Sequence, residues 1–412
     1  MKEQQVFDNL KLRGGWGRVG NQGISNDATL TLLGQADYVL GANPNRVTGT
    51  MVSNVGNNTL MWETVEDWNV GVDMSFIGSR LDVTFEYFQK KSKDMLYEKQ
   101  NLFAIGYPSW NSKVWMNIGS MKASGWELSL NWHDQIAKDF KYNVGVNLST
   151  VKNKAVKFSG DGPVLTGGFN GDQIIRNEDG GLISRFYGYV ADGIFQNWDE
   201  INNYKTTDGQ LIQPNAAPGD VKFLKTANDG LPLNPEDRTY LGSGMPDATF
   251  GLNLTANYKG FDLSMFMQSC VGNEIANALV MDIYSSEFGQ WNMSKKMMNR
   301  WHGEGTTNVY PRLIASDPNE NARFSDRYVE NGSYLRMKNL QLGYTLPATF
   351  TKKFNVNKLR IYGSIDNVFV LTKYSGFDPE MGDLLGNPLS IGVDLASYPR
   401  PRTFVLGFNI SL

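Results

Sequence analysis

The residues that could do acid–base or nucleophilic chemistry are few and scattered. His133 and His302 are the only histidines and Cys270 is the only cysteine, so no disulfide can form within the chain. No HExxH, CxxC, GxSxG or P-loop pattern occurs. His133 is predicted to lie in a short turn, 133–139, where an imidazole is ordinarily solvated. We therefore predict that this chain is not an enzyme and needs no cofactor.

Aromatic side chains in the long connecting segments are better candidates for binding. They are Trp110, Trp115, Tyr187, Phe195, Trp198, Trp291 and Trp301. Ring faces stack on sugar rings and on apolar peptide side chains, and neighbouring Asn and Asp side chains can hydrogen-bond hydroxyl groups. The alternative is that these rings pack the long segments against one another. For each single residue the sequence leaves both roles open.

Strict alternation of apolar and polar residues predicts about ten β-strands that would position these segments. In 140–149, FKYNVGVNLS, almost every second residue is large and apolar. The predicted strands are 10–19, 68–76, 81–87, 126–132, 140–148, 250–258, 261–267, 340–346, 359–365 and 404–412. Segment 334–346 breaks phase, because Arg336 and Lys338 share parity with Leu340. A β-bulge near Asn339 or a strand end outside a bilayer would each explain the break.

Composition agrees with many short strands and argues against a helical protein. The 412 residues include 43 Gly, 22 Phe, 18 Tyr and 10 Trp, and the net charge of −3 suggests no nucleic-acid partner. A transmembrane helix requires about 18 consecutive apolar residues, and every apolar run in this sequence is much shorter. A mean hydropathy of −0.37 does not exclude a membrane barrel, because lumen-facing residues alternate with lipid-facing ones.

The lengths of the connections favour a transmembrane barrel over a soluble sandwich or propeller, which would show the same alternation. Short connections at 77–80, 133–139, 259–260 and 347–358 alternate with long ones at 20–67, 91–124, 151–247, 270–332 and 372–402. Transmembrane barrels have short periplasmic turns and long external loops. Loops beyond about 15 residues are unusual in compact soluble domains.

Aromatic residues recur at the two ends of the apolar rows, as in Trp126 and Trp132 or Phe250 and Tyr258. Eight residues of strand span about 26 Å, or about 20 Å of membrane after a tilt of about 40°. The aromatic girdles of a transmembrane barrel would lie at these two levels, one at each membrane interface. If the long loops are external, the C-terminus is periplasmic. Ten strands would leave unpaired edges in lipid, so we expect further strands upstream of Met1. The segment that begins at Met1 lacks the apolar region of a signal peptide.

Ordered blocks along almost the entire chain resemble the SusC/RagA-like TonB-dependent outer-membrane transporters. The matching blocks are NARFSDRYVENGSYLRMKNLQLGYTLP (321–347), LKLRGGWGRVGNQ (10–22), NNTLMWETVEDWNVGVD (57–73), NIGSMKASGWELSLNW (117–132), RFYGYVADGIFQNWDEI (185–201), DRTYLGSGMPDATFGLNLTANYKGFDLSMFMQ (237–268), LRIYGSIDNVFVLTKYSGFDPE (359–380) and YPRPRTFVLGFNISL (398–412). The resemblance implies an all-β fold, in which 1–412 is the C-terminal ten or so strands of an antiparallel transmembrane β-barrel of about 22 strands. The final residue, Leu412, departs from the terminal aromatic residue usual in such barrels.

The resemblance also implies a function in the cell outer membrane. Members import oligosaccharides or oligopeptides with a SusD-like surface lipoprotein, and TonB–ExbB–ExbD supplies energy through a TonB box and plug. The signal peptide, N-terminal domain, plug and first strands would be absent from 1–412. Long external loops at 151–247 and 270–332 would contact the lipoprotein and the substrate, and the wall would contact outer-membrane lipid. The alternatives are a soluble all-β carbohydrate-binding module and, less favoured because histidines are few, an outer-membrane phospholipase or protease.

An acidic segment, Ala217–Arg238, lies where members of this family often carry a calcium loop of the form D-x-N-x-D-G. Here Lys225 and Ala227 replace the first two oxygen ligands, which leaves Asp229 with Glu236 or Asp237. Calcium takes at least about six oxygen ligands, and an ammonium group at a ligand position repels it. We therefore predict a structural loop without bound metal.

Overall fold

One antiparallel sheet of ten long strands dominates the fold. The computed structural model describes residues 6–21, 23–40, 45–100, 113–157, 162–169, 172–284, 292–384 and 387–412. The strands of the sheet are β1 (Asn9–Asn21), β2 (Glu63–Phe76), β3 (Leu81–Lys93), β4 (Ser120–Ala137), β5 (Phe140–Lys157), β6 (Ala248–Tyr258), β7 (Phe261–Val271), β8 (Tyr334–Thr345), β9 (Lys358–Thr372) and β10 (Thr403–Ser411). Their order in space is their order in the chain, and β1 and β10 form the two edges within the described residues.

The strand registers collect the apolar residues on one face of the sheet and the polar residues on the other. One cross-strand row reads Leu12, Val72, Phe85, Leu128, Leu148 and Phe250. The row beside it, on the opposite face, reads Arg13, Gly71, Glu86, Glu127, Ser149 and Thr249. Nothing in the described residues covers the apolar face, where Leu406 is 83% exposed. An uncovered apolar surface of this extent is unfavourable in water and favourable in lipid.

The ten predicted strands are all present, and most run further than predicted. Strand β5 continues past 148 to Lys157. In this extension, polar residues such as Lys152 and Lys154 occupy the positions that apolar residues hold earlier in the strand. The predicted turn 133–139 is wrong: β4 runs to Ala137, and His133 pairs with Asn143 inside the strand. The register shift between Met337 and Asn339 shows that the phase break is a β-bulge.

Three of the four short connections form tight turns of the kind that hairpins favour, and the fourth, between β8 and β9, carries short helices. In the turn Lys259–Gly260 both residues have positive φ, 46° and 90°, which is the backbone of a type I′ turn and matches the twist of the paired strands. Ile77, Gly78 and Ser79 also have positive φ. The side on which all four short connections lie is called the short-turn end below, and the opposite side is called the long-loop end.

Aromatic side chains form a band at each end of the apolar face. At the short-turn end, the rings of Phe261 and Tyr344 lie 4.5 Å apart, and the Trp132 indole donates a 2.9 Å hydrogen bond to the Tyr142 hydroxyl. Towards the long-loop end, the ring of Trp68 lies 5.6 Å from Tyr87. Indole and phenol groups prefer the interface between hydrocarbon and headgroups, so these two bands mark the expected membrane boundaries.

The long loops carry short elements of their own. Their strands are Leu32–Leu40, Asn45–Asn54, Leu96–Gln100, Lys113–Asn117, Val164–Phe169, Asp172–Asn177, Arg185–Gly188, Ala191–Ile194, Val221–Phe223, Thr239–Ser243, Glu274–Asn277, Val329–Asn331, Asp383–Leu384, Asn387–Ile391 and Val393–Asp394. The α-helices are α1 (Trp198–Asn203), α2 (Ala278–Tyr284) and α3 (Ala348–Thr351), the last in a short connection, and the 3-10 helices are Asn26–Thr29, Pro235–Asp237, Lys295–Asn299, Asp326–Tyr328 and Lys352–Phe354. None of the helices in the described part of the chain is long and apolar enough to span a membrane.

Three of the long loops fold together into one layer, which we call the loop cap (the described residues of 158–247, 272–333 and 373–402). Their buried side chains form a common hydrophobic core: Ile174, Ile175, Phe186, Ala276, Val280, Met281, Phe324, Tyr328 and Val393. In the ten-stranded sheet, called the wall below, only Ala155 among the described residues belongs to a buried hydrophobic cluster, which it forms with the loop residues Ile118, Ile183 and Leu389. The packed interior of this chain is therefore in its loops.

Candidate functional site

The polar face of the wall carries charged side chains that are paired across strands. The Arg13 guanidinium lies 2.9 Å from an Asp73 carboxylate oxygen and 2.8 Å from a Glu86 oxygen. On β9, the Arg360 Nε donates to Asp262 at 2.9 Å. A cavity of 370 Å³ opens on this face and is lined by polar groups that include Glu127. This wall suits a hydrated passage, because charges that are paired and solvent-facing cost little there.

A buried polar hub joins two of the cap loops. The Asp220 carboxylate is fully buried and accepts two hydrogen bonds from Arg312, at 2.7 and 3.0 Å, and one from the Asn321 side chain at 3.0 Å. The Asn321 side-chain oxygen Oδ1 accepts the Val221 N–H at 2.7 Å. Residue Asn321 opens the block 321–347, so the start of that block serves to hold loop 158–247 against loop 272–333.

In the acidic segment a lysine ammonium lies between two carboxylates. Lys225 Nζ is 2.7 Å from Asp229 and 2.8 Å from Asp237, which is fully buried. Asp237 also accepts the backbone N–H groups of Thr226 and Ala227, both at 2.9 Å. The hydrogen bond from Lys225 holds the pKa of the Asp229 carboxyl far below its ordinary value, with further contributions from Asn234 and the Leu231 N–H.

Replacing Lys225 with methionine is expected to loosen this segment while keeping the length of the side chain. Loss of a charged hydrogen bond to a buried carboxylate should speed amide exchange at Thr226 and Ala227 by about tenfold or more. Because the folded pKa of Asp229 is depressed, its stabilisation is present above its ordinary pKa and is lost as pH falls below that value. The difference in amide exchange rate between the wild type and the variant should therefore be smaller at acidic pH than at pH 7.

Lys222→Met provides the matched control for that variant. Lys222 pairs with Asp192 at 2.6 Å, but the Asp192 side chain is half exposed. Exposed ion pairs contribute little to stability, so exchange in 225–237 should stay unchanged. Equal exchange rates in the two variants would contradict the role assigned to Lys225.

Two of the aromatic residues predicted to face substrate are instead packed inside the cap. Phe195 is 1% exposed and contacts Ile201 and Ala216. Tyr187 is buried, its hydroxyl accepts a 2.8 Å hydrogen bond from Arg176, and its ring lies 4.7 Å from that guanidinium. Their ring faces are covered by protein. In this conformation they therefore pack the long segments against one another, which is the alternative role given above.

Trp198 and Trp301 lie near each other and remain candidates for ligand contact. Trp198 begins α1 and is 57% exposed. The Trp301 indole donates to the Gln196 side chain at 3.2 Å, and Asn197 donates to Glu304 at 2.6 Å, so 195–198 adjoins 301–304. The remaining predicted aromatic residues are placed as follows: Trp115 is half-buried on the strand Lys113–Asn117, while Trp110 and Trp291 lie outside the described residues.

An arginine–tyrosine cluster in the cap was not predicted from the sequence. The Arg185 guanidinium lies 3.5 Å from the centroid of the Tyr240 ring, and the Tyr187 ring is 5.4 Å from that ring. Burial, followed by the nearby Glu178 carboxylate, raises the pKa of Tyr240 to about 12. These residues come from strands far apart in sequence, and no local pattern indicates that they meet.

Comparison with known proteins agrees with this architecture. The family described as "TonB dependent receptor-like, beta-barrel" matches residues 5–368. The chain belongs to this family. The resemblance to SusC/RagA-like receptors is thereby confirmed, as is the all-β barrel fold. The family comprises outer-membrane receptors and transporters and not enzymes.

Individual TonB-dependent receptors are similar along the whole chain. It is 31% identical to TonB-dependent receptor P3 of Formosa agariphila, over 100% of this chain and 40% of that protein. It is 26% identical to TonB-dependent receptor SusC of Bacteroides thetaiotaomicron, over 100% of this chain and 38% of SusC. The solved RagAB peptide transporter superposes with a TM-score of 0.80 at 24% identity, covering 100% of this chain and 41% of that one. The chain thus spans about two fifths of the length of these receptors.

Proposed function

We propose that this chain forms part of an outer-membrane importer of oligosaccharides or oligopeptides that works with a SusD-like surface lipoprotein. The observation that carries the proposal is the sheet's division into an uncovered apolar face and a polar, ion-paired face. That division suits a wall between lipid and a hydrated passage. A soluble carbohydrate-binding module would have to bury the apolar face, and Leu406 and its neighbours are exposed.

In this proposal the ten strands are the C-terminal part of a barrel of about 22 strands, the long-loop end is external, and the C-terminus is periplasmic. Energy reaches the transporter through TonB–ExbB–ExbD, acting on a plug encoded before these strands. The loop cap provides part of the substrate cavity and of the lipoprotein interface. This role of the loop cap is supported by its own hydrophobic core, because a packed core gives the cap a structured surface.

Uptake by cells tests this function directly. Cells that express the complete receptor are given fluorescent pools of oligosaccharides or of oligopeptides, with and without a functional TonB. We expect saturable, TonB-dependent accumulation of one pool and co-purification of the complete receptor with the lipoprotein encoded beside it. Accumulation of neither pool above that of cells lacking the receptor would refute the proposal.

Trp198 offers a sharper test at the level of one side chain. Trp198→Ala should weaken substrate binding to the complete receptor by about three- to tenfold, since it removes an exposed stacking face. Trp198→Phe keeps an aromatic face and should retain most of the affinity. Binding is measured by calorimetry in detergent with the pool that cells accumulate. If the alanine variant binds like the wild type, Trp198 does not contact substrate.

A further inference from the structure

A row of four basic side chains and one acidic side chain crosses five strands on the apolar face of the wall, towards the long-loop end. The register aligns Arg18, Glu66, Lys91, Lys122 and Lys154 as successive cross-strand neighbours. Alternate residues of a strand share a face, and along these strands no register shift separates this row from the apolar rows. The row therefore points the same way as the residues expected to meet lipid.

Neighbouring positions on that face make the surface more basic. Lys93 and Lys152 belong to the flanking rows, which brings the set to six cations, and we call these six residues and Glu66 the basic belt. Glu66 is its only acid, and Lys93 already binds that carboxylate at 2.7 Å. In the part of the chain that the structure describes, no carboxylate lies within ion-pair distance of Lys91, Lys122, Lys152 or Lys154.

The height of the belt matches the headgroup layer of a bilayer. Glu66 lies two residues beyond Trp68, and Lys122 lies four residues beyond Trp126. At about 3.3 Å per residue and a tilt of about 40°, these steps place the belt about 5–10 Å beyond the aromatic band. The polar layer on each side of the hydrocarbon core is about 5–7 Å thick.

At one end the belt borders a cavity. Pairing between β5 and β6 stops at Ser149 and Thr249, while β5 continues to Lys157 and next bonds the cap at Ala155, through Gly180 and Gly181, which leaves a gap beside 150–153. A cavity of 690 Å³ lies there, and Lys152, Lys154 and Arg185 contribute to its lining. Its acidic lining residues are Asp247 and Glu274, and the Glu274 carboxylate already accepts the Ser243 N–H at 2.8 Å.

We propose that the basic belt binds phosphate groups of anionic glycolipids in the leaflet that surrounds the long-loop end, with one phosphate seated at the cavity beside Lys152 and Lys154. Clusters of Lys and Arg just beyond a membrane-spanning segment attract anionic headgroups. The apolar rows below would contact the acyl chains of the same lipid. This inference rests on the lipid-facing orientation in the proposed function, but not on any transported substrate.

Native mass spectrometry of the complete receptor in detergent tests the inference, with lipid A carrying two phosphates or none as the probes. We expect the wild type to retain the bisphosphorylated lipid and to bind the dephosphorylated lipid at least about tenfold more weakly. The triple variant Lys91→Gln, Lys122→Gln and Lys154→Gln should lose at least about tenfold in affinity for the bisphosphorylated lipid alone. The heat-dependent gel shift of the barrel reports that each variant is folded.

The matched control removes three lysines from the short-turn end: Lys352→Gln, Lys353→Gln and Lys358→Gln. It should bind the bisphosphorylated lipid as the wild type does. Equal affinity of the wild type for the two lipids, or equal losses in the two triple variants, would overturn the inference. Substrate uptake by the belt variant separates the two proposals, since transport can persist when lipid binding is lost, and lipid binding can persist when no substrate is found.

Discussion

Arg336→Met is expected to destabilise the folded receptor by about 3–5 kcal/mol, because it leaves a carboxylate buried without its cation. Arg336 on β8 is 3% exposed and pairs with Asp378, which is 5% exposed and belongs to loop 373–402. Glu380 extends the cluster and accepts Lys338 Nζ at 2.6 Å. The cluster ties the bulged end of β8 to the last long loop, and its loss should lower the thermal unfolding temperature in detergent.

Arg400→Met is the matched control within the same cluster. Arg400 is half exposed and 3.5 Å from Glu380, so its removal should change stability by no more than about 0.5 kcal/mol. The double variant Arg336→Met with Asp378→Asn should be more stable than Arg336→Met alone, since the stranded charge is gone. If both single variants unfold at the same temperature, the pair does not stabilise the loop.

Arg312→Met is expected to open the polar hub of the loop cap. Asp220 would keep its bond from Asn321 but lose both bonds from the guanidinium, and it is fully buried. Because Arg312 is one-quarter exposed, we expect a smaller cost than for Arg336, about 2–3 kcal/mol. The cap should then show faster proteolysis within 158–247 and 272–333 while the barrel keeps its gel shift.

Arg46→Met is the control for that experiment. Arg46 pairs with Asp37 but is largely exposed, and such pairs contribute at most about 1 kcal/mol. Its proteolysis pattern in the cap should equal that of the wild type. Cleavage of Arg312→Met at the wild-type rate would show that the hub is not required to hold the two loops together.

The ten wall strands were predictable because a strand with one face in lipid and the other in water must alternate residue by residue. The alternation in 140–149 and 250–258 therefore located β5 and β6 without a structure. The strand ends were harder to place, because the apolar residues stop before the strand does. In β5, Lys152 and Lys154 continue the strand at positions where the alternation of apolar and polar residues no longer shows. His133 was misplaced for the same reason.

The roles of loop residues depended on the tertiary structure. Phe195 and Trp198 stand three residues apart in the same loop, yet one is buried and the other is exposed. No local periodicity distinguishes them, because Phe195 is buried by Ile201 and Ala216, which reach it only when the loop folds back on itself. The pairing of Asp220 with Arg312 is likewise invisible in either local sequence.

The sequence by itself determined the fold class, the number of wall strands and the family, since these depend on short-range alternation, connection lengths and ordered motifs. Only the tertiary structure decided which aromatic rings are open to a ligand, that Lys225 lies between two carboxylates, and that basic residues of four strands form one belt. The physical reason is that local patterns report which face a residue takes. Contacts between distant segments depend instead on register and loop packing, which are properties of the whole chain.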